Sequence, residues 1–379
     1  MRDAVIVEAV RTPTGKRNGG LAGVHPADLS AHVLRALAER SGIDPALVDD
    51  VVWGCVSQVG EQTFDIARTA VLSAGWPESV PGTTVDRQCG SSQQAVHFAA
   101  AGLISGQYDV VVAGGVESMS RVPMGSTFTA SPLGAGFVAR YGDALPNQGV
   151  GAEMIADRWG LSRTQLDEFS LASHEKAAAA VDEGRFAGQI APVTTADGVV
   201  DTDEGVRRGG TLDKLAGLKP AFKEDGKITA GNSSQISDGS AGLLMMTSEK
   251  AAALGLRPLA RIHTAVLAGS DPIIMLTAPI PATQKALERS GLTIDQIGAF
   301  EVNEAFASVP LAWLADLGAD DKALNPLGGA IALGHPLGGS GARLMTTLVH
   351  HMKDNGIRYG LQTMCEGGGQ ANATILELL

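Results

Sequence analysis

The run Leu37-Ala38-Glu39-Arg40-Ser41-Gly42-Ile43 returns, two hundred and forty-nine residues later, as Ala286-Leu287-Glu288-Arg289-Ser290-Gly291-Leu292. Each copy is followed by a polar turn and an apolar stretch that ends near Gly54 or Asn303. The later parts agree in the same order: a glycine-rich turn, a helical pattern, a polar turn, an apolar strand and a glycine cluster run from Cys89 to Gly115 and again from His335 to Gly369. An ordered repeat of this kind predicts two similar halves, one at each end of the chain. Within a half the pattern alternates. Ala4 to Ala9 and Val51 to Val56 read as short buried strands, Ala27 to Arg40 and Ser91 to Ser105 as helices, and Val110 to Ala113 as a strand closed by Gly114-Gly115. Alternation with continuous apolar strands predicts an α/β class with sheets covered on both faces.

The 379 residues, at roughly 150 per domain, leave room for a third unit between the halves. Ser118 to about Ser237 changes character, with Pro-, Gly- and Ser-rich turns at 122–136, helical patterns at Gly151–Trp159 and Thr164–Gly184, and a charged region from Asp197 to Arg208. The expected division is an N-terminal half over 1–117, completed by about 238–258, an inserted loop domain over 118–237, and a C-terminal half over 259–379.

Charge and cysteine usage exclude several classes. A formal net charge of −12 without a long basic patch argues against nucleic acid and acidic membrane surfaces as partners. The long uncharged stretch Ala323 to Ala342 holds six Gly and two Pro, a poor composition for a lipid-facing helix. Three cysteines and an opening Met1-Arg2-Asp3 without an apolar signal core predict a reducing, cytoplasmic compartment. No Cys or His stands at zinc-ligand spacing, so no metal is expected.

Glycine marks the candidate chemistry. Cys89, in Asp86-Arg87-Gln88-Cys89-Gly90-Ser91-Ser92, opens a predicted helix, where unpaired N–H groups and the positive dipole end are expected to lower its pKa. Cys55, inside an apolar strand, reads as packing. His335 is flanked by Gly334 and Pro336 within a glycine-rich run, so a ligand can approach its imidazole closely. Cys365 ends the run Leu361–Met364 and precedes Gly367-Gly368-Gly369, whose backbone N–H groups suit an oxyanion. Asn303 ends another apolar run, as a water-orienting amide or a simple cap. The pattern at Gly134–Ala139 looks loosely like a dinucleotide fingerprint but follows no strand, and no redox nucleotide is expected.

Together these segments resemble the thiolase family over nearly the whole chain: Val10-Arg11-Thr12-Pro13-x-Gly15, the Cys89 segment, Asn303-Glu304-Ala305-Phe306, Gly334-His335-Pro336 and Cys365-x-Gly367-Gly368-Gly369 stand in family order. The resemblance implies duplicated α/β halves in a five-layer αβαβα arrangement with an inserted loop domain. It implies Cys89 as the acyl-carrying nucleophile, His335 as its activator and Cys365 as acid/base. Asn303, through a water, and His335 would form one oxyanion hole, and the N–H groups of Cys89 and Gly367 the other. Asp203-Glu204-x-x-Arg207 and Gly231-Asn232-Ser233-Ser234 match the loop-domain pattern, which implicates Arg207 and Ser234 in holding coenzyme A as co-substrate, with no permanently bound cofactor. A homodimer or homotetramer is implied as well.

Departures are small. Gly339 and Ala371 stand where many members have Ala and Gly, and Met124 replaces the His of acetoacetyl-specific biosynthetic members. With Trp53-Gly54-Cys55-Val56, the chain looks like the degradative branch, cleaving a 3-oxoacyl-CoA to acetyl-CoA and a shortened acyl-CoA in fatty-acid or sterol side-chain oxidation. The alternatives are a biosynthetic acetoacetyl-CoA thiolase, a decarboxylating ketoacyl synthase, a cysteine hydrolase built on Cys89, His335 and Asn303, and a non-catalytic lipid or CoA carrier.

Overall fold

The computed structural model describes residues 2–143 and 146–379. Nine strands carry the architecture: β1 Val5–Arg11, β2 Asp50–Gly54, β3 Thr83–Val85, β4 Val110–Ser118, β5 Ser237–Met246, β6 Ala260–Gly269, β7 Ala299–Val302, β8 Tyr359–Glu366 and β9 Gln370–Leu378. The longer helices position the rest: α1 Pro26–Ser41, α2 Ile66–Ser73, α3 Ser91–Ser105, α4 Gln148–Arg158, α5 Arg163–Asp182, α6 Pro279–Ser290, α7 Ser308–Leu317 and α8 Leu337–Asn355.

The strands run in the order β7-β8-β9-β6-β1-β5-β4-β2-β3. Parallel pairs, β2 with β3, β2 with β4, and β7 with β8, lie toward the outside of each half. The two halves meet edge to edge where β1 pairs with β6, over only Val5↔Arg261 and Ile6↔Ala260. The repeat is visible in detail. α1 and α6 both end on a left-handed glycine, Gly42 at φ 70° and Gly291 at φ 72°, a conformation that glycine adopts without steric cost. Each is followed by one 3₁₀ turn, Pro45–Leu47 or Ile294–Gln296, and then by β2 or β7.

Three apolar cores separate five layers. One lies between α1, α2 and the outer face of the N-terminal strands, with Trp53, Leu34 and Val71 buried. A second joins α3 and α8 to strands of both halves, through Ala99, Leu103, Met345 and Leu348. The third lies between α6, α7 and the outer face of the C-terminal strands, around Phe300 and Trp313. The order is therefore αβαβα, as expected. Small residues permit the central layer. A Cβ on Gly54 would lie 2.8 Å from the Gly338 carbonyl, and one on Gly338 would lie 2.7 Å from Cα of Cys55. The starts of α3 and α8 can thus both reach the end of β2.

Between β4 and β5 the chain forms α4, α5 and a small hairpin, Val193–Thr195 with Gly198–Val200. Ser162 and Gln165 close a capping box at the start of α5. A fully buried ion pair ties this segment to β1: Arg11 donates to both carboxylate oxygens of Asp203, at 2.7 and 2.8 Å. Burial pushes the Asp203 carboxyl up, but the Arg11 charge and its hydrogen bonds outweigh this and hold it below the ordinary range. Residues before the Gly134 pattern form turns, not a strand, consistent with its rejection. No described helix is long and apolar enough to cross a membrane.

Candidate active site

Cys89 lies on the turn that enters α3. Gln88 adopts φ 48°, a left-handed conformation unusual for a residue with a side chain. The Ser91 hydroxyl accepts from the Arg87 N–H at 2.9 Å and donates to the Gln88 carbonyl at 2.6 Å, which holds that turn. The sulfur is buried among Met119, Leu337, Leu344 and Met364. Its acidity differs from the sequence-based expectation. Burial pushes the Cys89 thiol up to about 12, the Glu366 carboxyl adds to the effect, and a hydrogen bond with the Gln148 side chain opposes it. The helix end does not prevail because the group is dry, and desolvation of a thiolate costs more than one helix terminus returns.

The end of β8 comes to the same turn. Cys365, 1% exposed near the end of β8, is pushed well above the ordinary thiol value by burial, with Cys89 as the next contributor. The two thiols thus lie within electrostatic reach of each other. Gly367 faces the residue before Cys89, since a Cβ there would lie 3.0 Å from Oε1 of Gln88. Asn372 Nδ2 donates to the Gly90 carbonyl at 3.1 Å, so the β8–β9 hairpin clasps the Cys89 turn directly.

Asn303 and His335 stand together. Asn303 Nδ2 lies 3.3 Å from His335 Nε2, and Asn303 Oδ1 is buried without a partner among the described residues. On the far side of the ring, Nδ1 lies 2.6 Å from the Ser340 hydroxyl, which itself donates to the Pro336 carbonyl at 2.8 Å. A hydroxyl has one proton, so Ser340 accepts from Nδ1–H and leaves Nε2 as the lone-pair nitrogen. Burial, with the Arg343 charge behind it, drives the imidazole down to about 3. Both shifts favour the neutral forms, thiol and imidazole.

Backbone anchors explain the placement. The Asn303 N–H donates to Thr363 O on β8 at 3.1 Å. Glu304 accepts from Ser173 Oγ at 2.7 Å, Asn325 Nδ2 at 2.9 Å and Ile331 N at 3.2 Å, which fastens the Asn303 segment to the approach to His335. Glu117, at the end of β4, accepts from the N–H groups of Val56, Ser57 and Gly338 at 3.0, 3.0 and 2.8 Å. Sequence reading missed Glu117 and Ser340. The only signals were a lone carboxylate ending a wholly apolar run and a hydroxyl five residues after the histidine.

The inserted segment reaches this region. The Ser234 N–H donates to Ala305 O at 2.9 Å, two residues from Asn303. Arg207 is exposed, and its backbone N–H donates to His174 Nδ1 at 3.1 Å. Gln235, next to Ser234, donates to Gly205 O at 2.9 Å, so the loops carrying Arg207 and Ser234 are neighbours. Among the described residues no group of three or more His, Cys, Asp and Glu side chains is placed to hold a metal ion.

Comparison with known proteins agrees with this arrangement. The thiolase N-terminal domain matches residues 4–249 and the thiolase C-terminal domain residues 256–378. A steroid 3-ketoacyl-CoA thiolase, FadA6 of Mycobacterium tuberculosis, is 51% identical, with all of this chain and 95% of that protein aligned. The 3-ketoacyl-CoA thiolases of Pseudoalteromonas translucida and Erwinia tasmaniensis are 46% and 47% identical, covering all of this chain and 99% and 100% of theirs. With both halves matched in order and relatives aligned from end to end, the chain belongs to the thiolase family.

Proposed function

We propose that this protein is a 3-oxoacyl-CoA thiolase, an acetyl-CoA C-acyltransferase that transfers an acyl group between a 3-oxoacyl-CoA and CoA. The observation that carries this reading is the meeting of the Cys89 turn with the Cys365–Gly367 strand end, with the His335–Asn303 pair two residues from Leu337, which packs against Cys89. Cys89 sulfur attacks the 3-keto carbon as its proton passes to His335 Nε2. The C2–C3 bond then breaks, and Cys365 protonates the departing C2 to release acetyl-CoA. Incoming CoA gives its thiol proton to Cys365 and takes the acyl group, while His335 returns its proton to Cys89. Two half-reactions through one thioester divide a difficult step. The alkoxides of the tetrahedral intermediates and the enolate face fixed dipoles: Asn303, through a water, and His335 at one, the N–H groups of Cys89 and Gly367 at the other.

CoA is a co-substrate in this scheme, held by Arg207 and Ser234, with residues 118–237 as the domain that binds it, 1–117 with about 238–258 as one catalytic half and 259–379 as the other. The acyl group comes from fatty-acid or sterol side-chain oxidation, and the name of the mycobacterial relative supports the sterol reading. A cytoplasmic homodimer or homotetramer completes the proposal.

Turnover of a panel of 3-oxoacyl-CoA esters, straight-chain and steroid-derived, tests it directly. Acetyl-CoA and a shortened acyl-CoA in equal amounts, dependent on added CoA, are expected. Release of free acid without acyl-CoA would show a hydrolase instead.

A further inference from the structure

Glu366 lies between Cys365 and Gly367, yet the reaction scheme above gives it no role. It is fully buried, with no exposed side-chain surface. Among the described residues neither carboxyl oxygen has a hydrogen-bond partner, and the Asn372 backbone N–H is the backbone group that acts on it. The carboxyl sits against Gly90, the residue after the nucleophile: a Cβ at Gly90 would collide with Oε1 of Glu366 and lie 2.8 Å from Oδ1 of Asn372. That amide oxygen is also buried without a partner among the described residues. Two acceptors therefore lie against Gly90, beside the Cys89 turn, neither with a hydrogen-bond partner among the described residues.

A buried carboxylate without donors is costly, and a neutral acid supplies the O–H that Asn372 Oδ1 lacks. The charged and titratable groups around it are Arg87 and Asp86 from the turn before α3, Cys89 on that turn, and Cys365 on β8, while Glu117 on β4 acts on Cys89. Burial pushes the Glu366 carboxyl up to about 8, with Arg87 opposing. Negative charge on Glu366 raises both thiols.

We propose that Glu366 is an electrostatic positioning residue for the nucleophile: it stays protonated while negative charge develops on Cys89, and its ionisation suppresses that charge. The proposal rests on the assignment of Cys89 as nucleophile. Glu366 touches no reacting atom; it acts through the field at the Cys89 turn. One consequence is unusual for a thiol site. Alkaline conditions ordinarily make a thiol more reactive, but here the second ionisation works against the first.

The test is the rate of Cys89 carbamidomethylation by iodoacetamide from pH 6.5 to 9.5, with the labelled peptide identified by mass, in the wild-type protein, Glu366→Gln and Glu366→Met. The expected result is that the ratio of mutant to wild-type rate rises at least fivefold across this range, for both neutral replacements, because only the wild type acquires the opposing charge. A purely structural role would shift the rate by the same factor at every pH, and parallel pH curves would overturn the proposal. Should Glu366→Gln fail to fold, Glu366→Met gives the same readout. Label that appears on Cys365 in place of Cys89 would overturn the nucleophile assignment; label on Cys89 with parallel curves overturns the role of Glu366 alone.

Discussion

The Ser340 hydroxyl accepts from His335 Nδ1 at 2.6 Å while donating to the Pro336 carbonyl at 2.8 Å, so a neutral group fixes the tautomer of the histidine. A carboxylate in that position would stabilise the imidazolium, as in hydrolase triads. A hydroxyl does not, and the proton is readily returned, which suits a reversible transfer. Ser340→Ala is expected to lower kcat by about 10–100-fold, the scale for partners that orient a functional histidine, with little change in KM. Ser340→Thr should restore most of the rate. An alanine variant within twofold of wild-type kcat would refute the assignment.

Cys365→Ala should separate acylation from carbon chemistry. Thioester formation on Cys89 from an acyl-CoA is expected to remain measurable, since solvent can move protons on sulfur. Exchange of the acetyl-CoA methyl hydrogens with heavy water should fall by about 10²–10⁴-fold, the contribution of a positioned acid/base. Methyl exchange at near wild-type rate would identify another base, with His335 first in line.

Arg207→Ala should weaken CoA binding by about 1–3 kcal/mol, the range for losing a hydrogen bond to a charged group. Calorimetric titration with CoA measures this directly. An unchanged dissociation constant would remove Arg207 from the binding surface.

Asp203→Ala leaves the Arg11 guanidinium buried and uncompensated, since both side chains are fully enclosed. A loss of about 3–5 kcal/mol in urea unfolding is expected. The Thr14 N–H, which donates to Asp203 at 2.8 Å, loses its acceptor as well.

His97 predicts an acid-sensitive component of stability. Burial, assisted by Arg87, lowers this imidazole to about 4, and the ring lies 2.8 Å from Thr374 Oγ1. The folded state therefore binds fewer protons than the unfolded state below the ordinary value of 6.5. Stability is full above that value and is lost as pH falls from 6.5 to about 4. His97→Gln, which keeps a polar partner for Thr374, should reduce the difference in unfolding free energy between pH 7 and 4.5 by roughly 2–3 kcal/mol. Equal pH dependence in both proteins would show that other groups dominate.

Local signals located the elements well. The repeat around Gly42 and Gly291 was legible because both glycines end helices in a left-handed conformation that few other residues tolerate. The helix read at Ser91–Ser105 has those limits, whereas α4 begins at Gln148, three residues before the predicted Gly151, because Asn147 caps it. Acidity at Cys89 was not legible. The helix end is a local feature, but the dry surroundings come from Met119, Leu337, Leu344 and Met364, all distant from Cys89 in sequence. Glu117 and Ser340 were hidden for a related reason: their partners at Gly338 and His335 are set by how α8 enters the central layer.

The strand order has a consequence for synthesis. β5, Ser237–Met246, lies between β1 and β4, so the N-terminal half cannot close its sheet until about two-thirds of the chain has left the ribosome. Until then β1 and β4 each present an open edge, the kind of surface on which strands from other chains pair. The cost in equilibrium stability is small, since loop-closure entropy grows only slowly with length, but the delay falls on the rate. Nascent chains stalled before Ser237 would therefore be prone to self-association, and release past Met246 would close the edges that β1 and β4 turn toward each other, leaving the short edge of β1 that later pairs with β6.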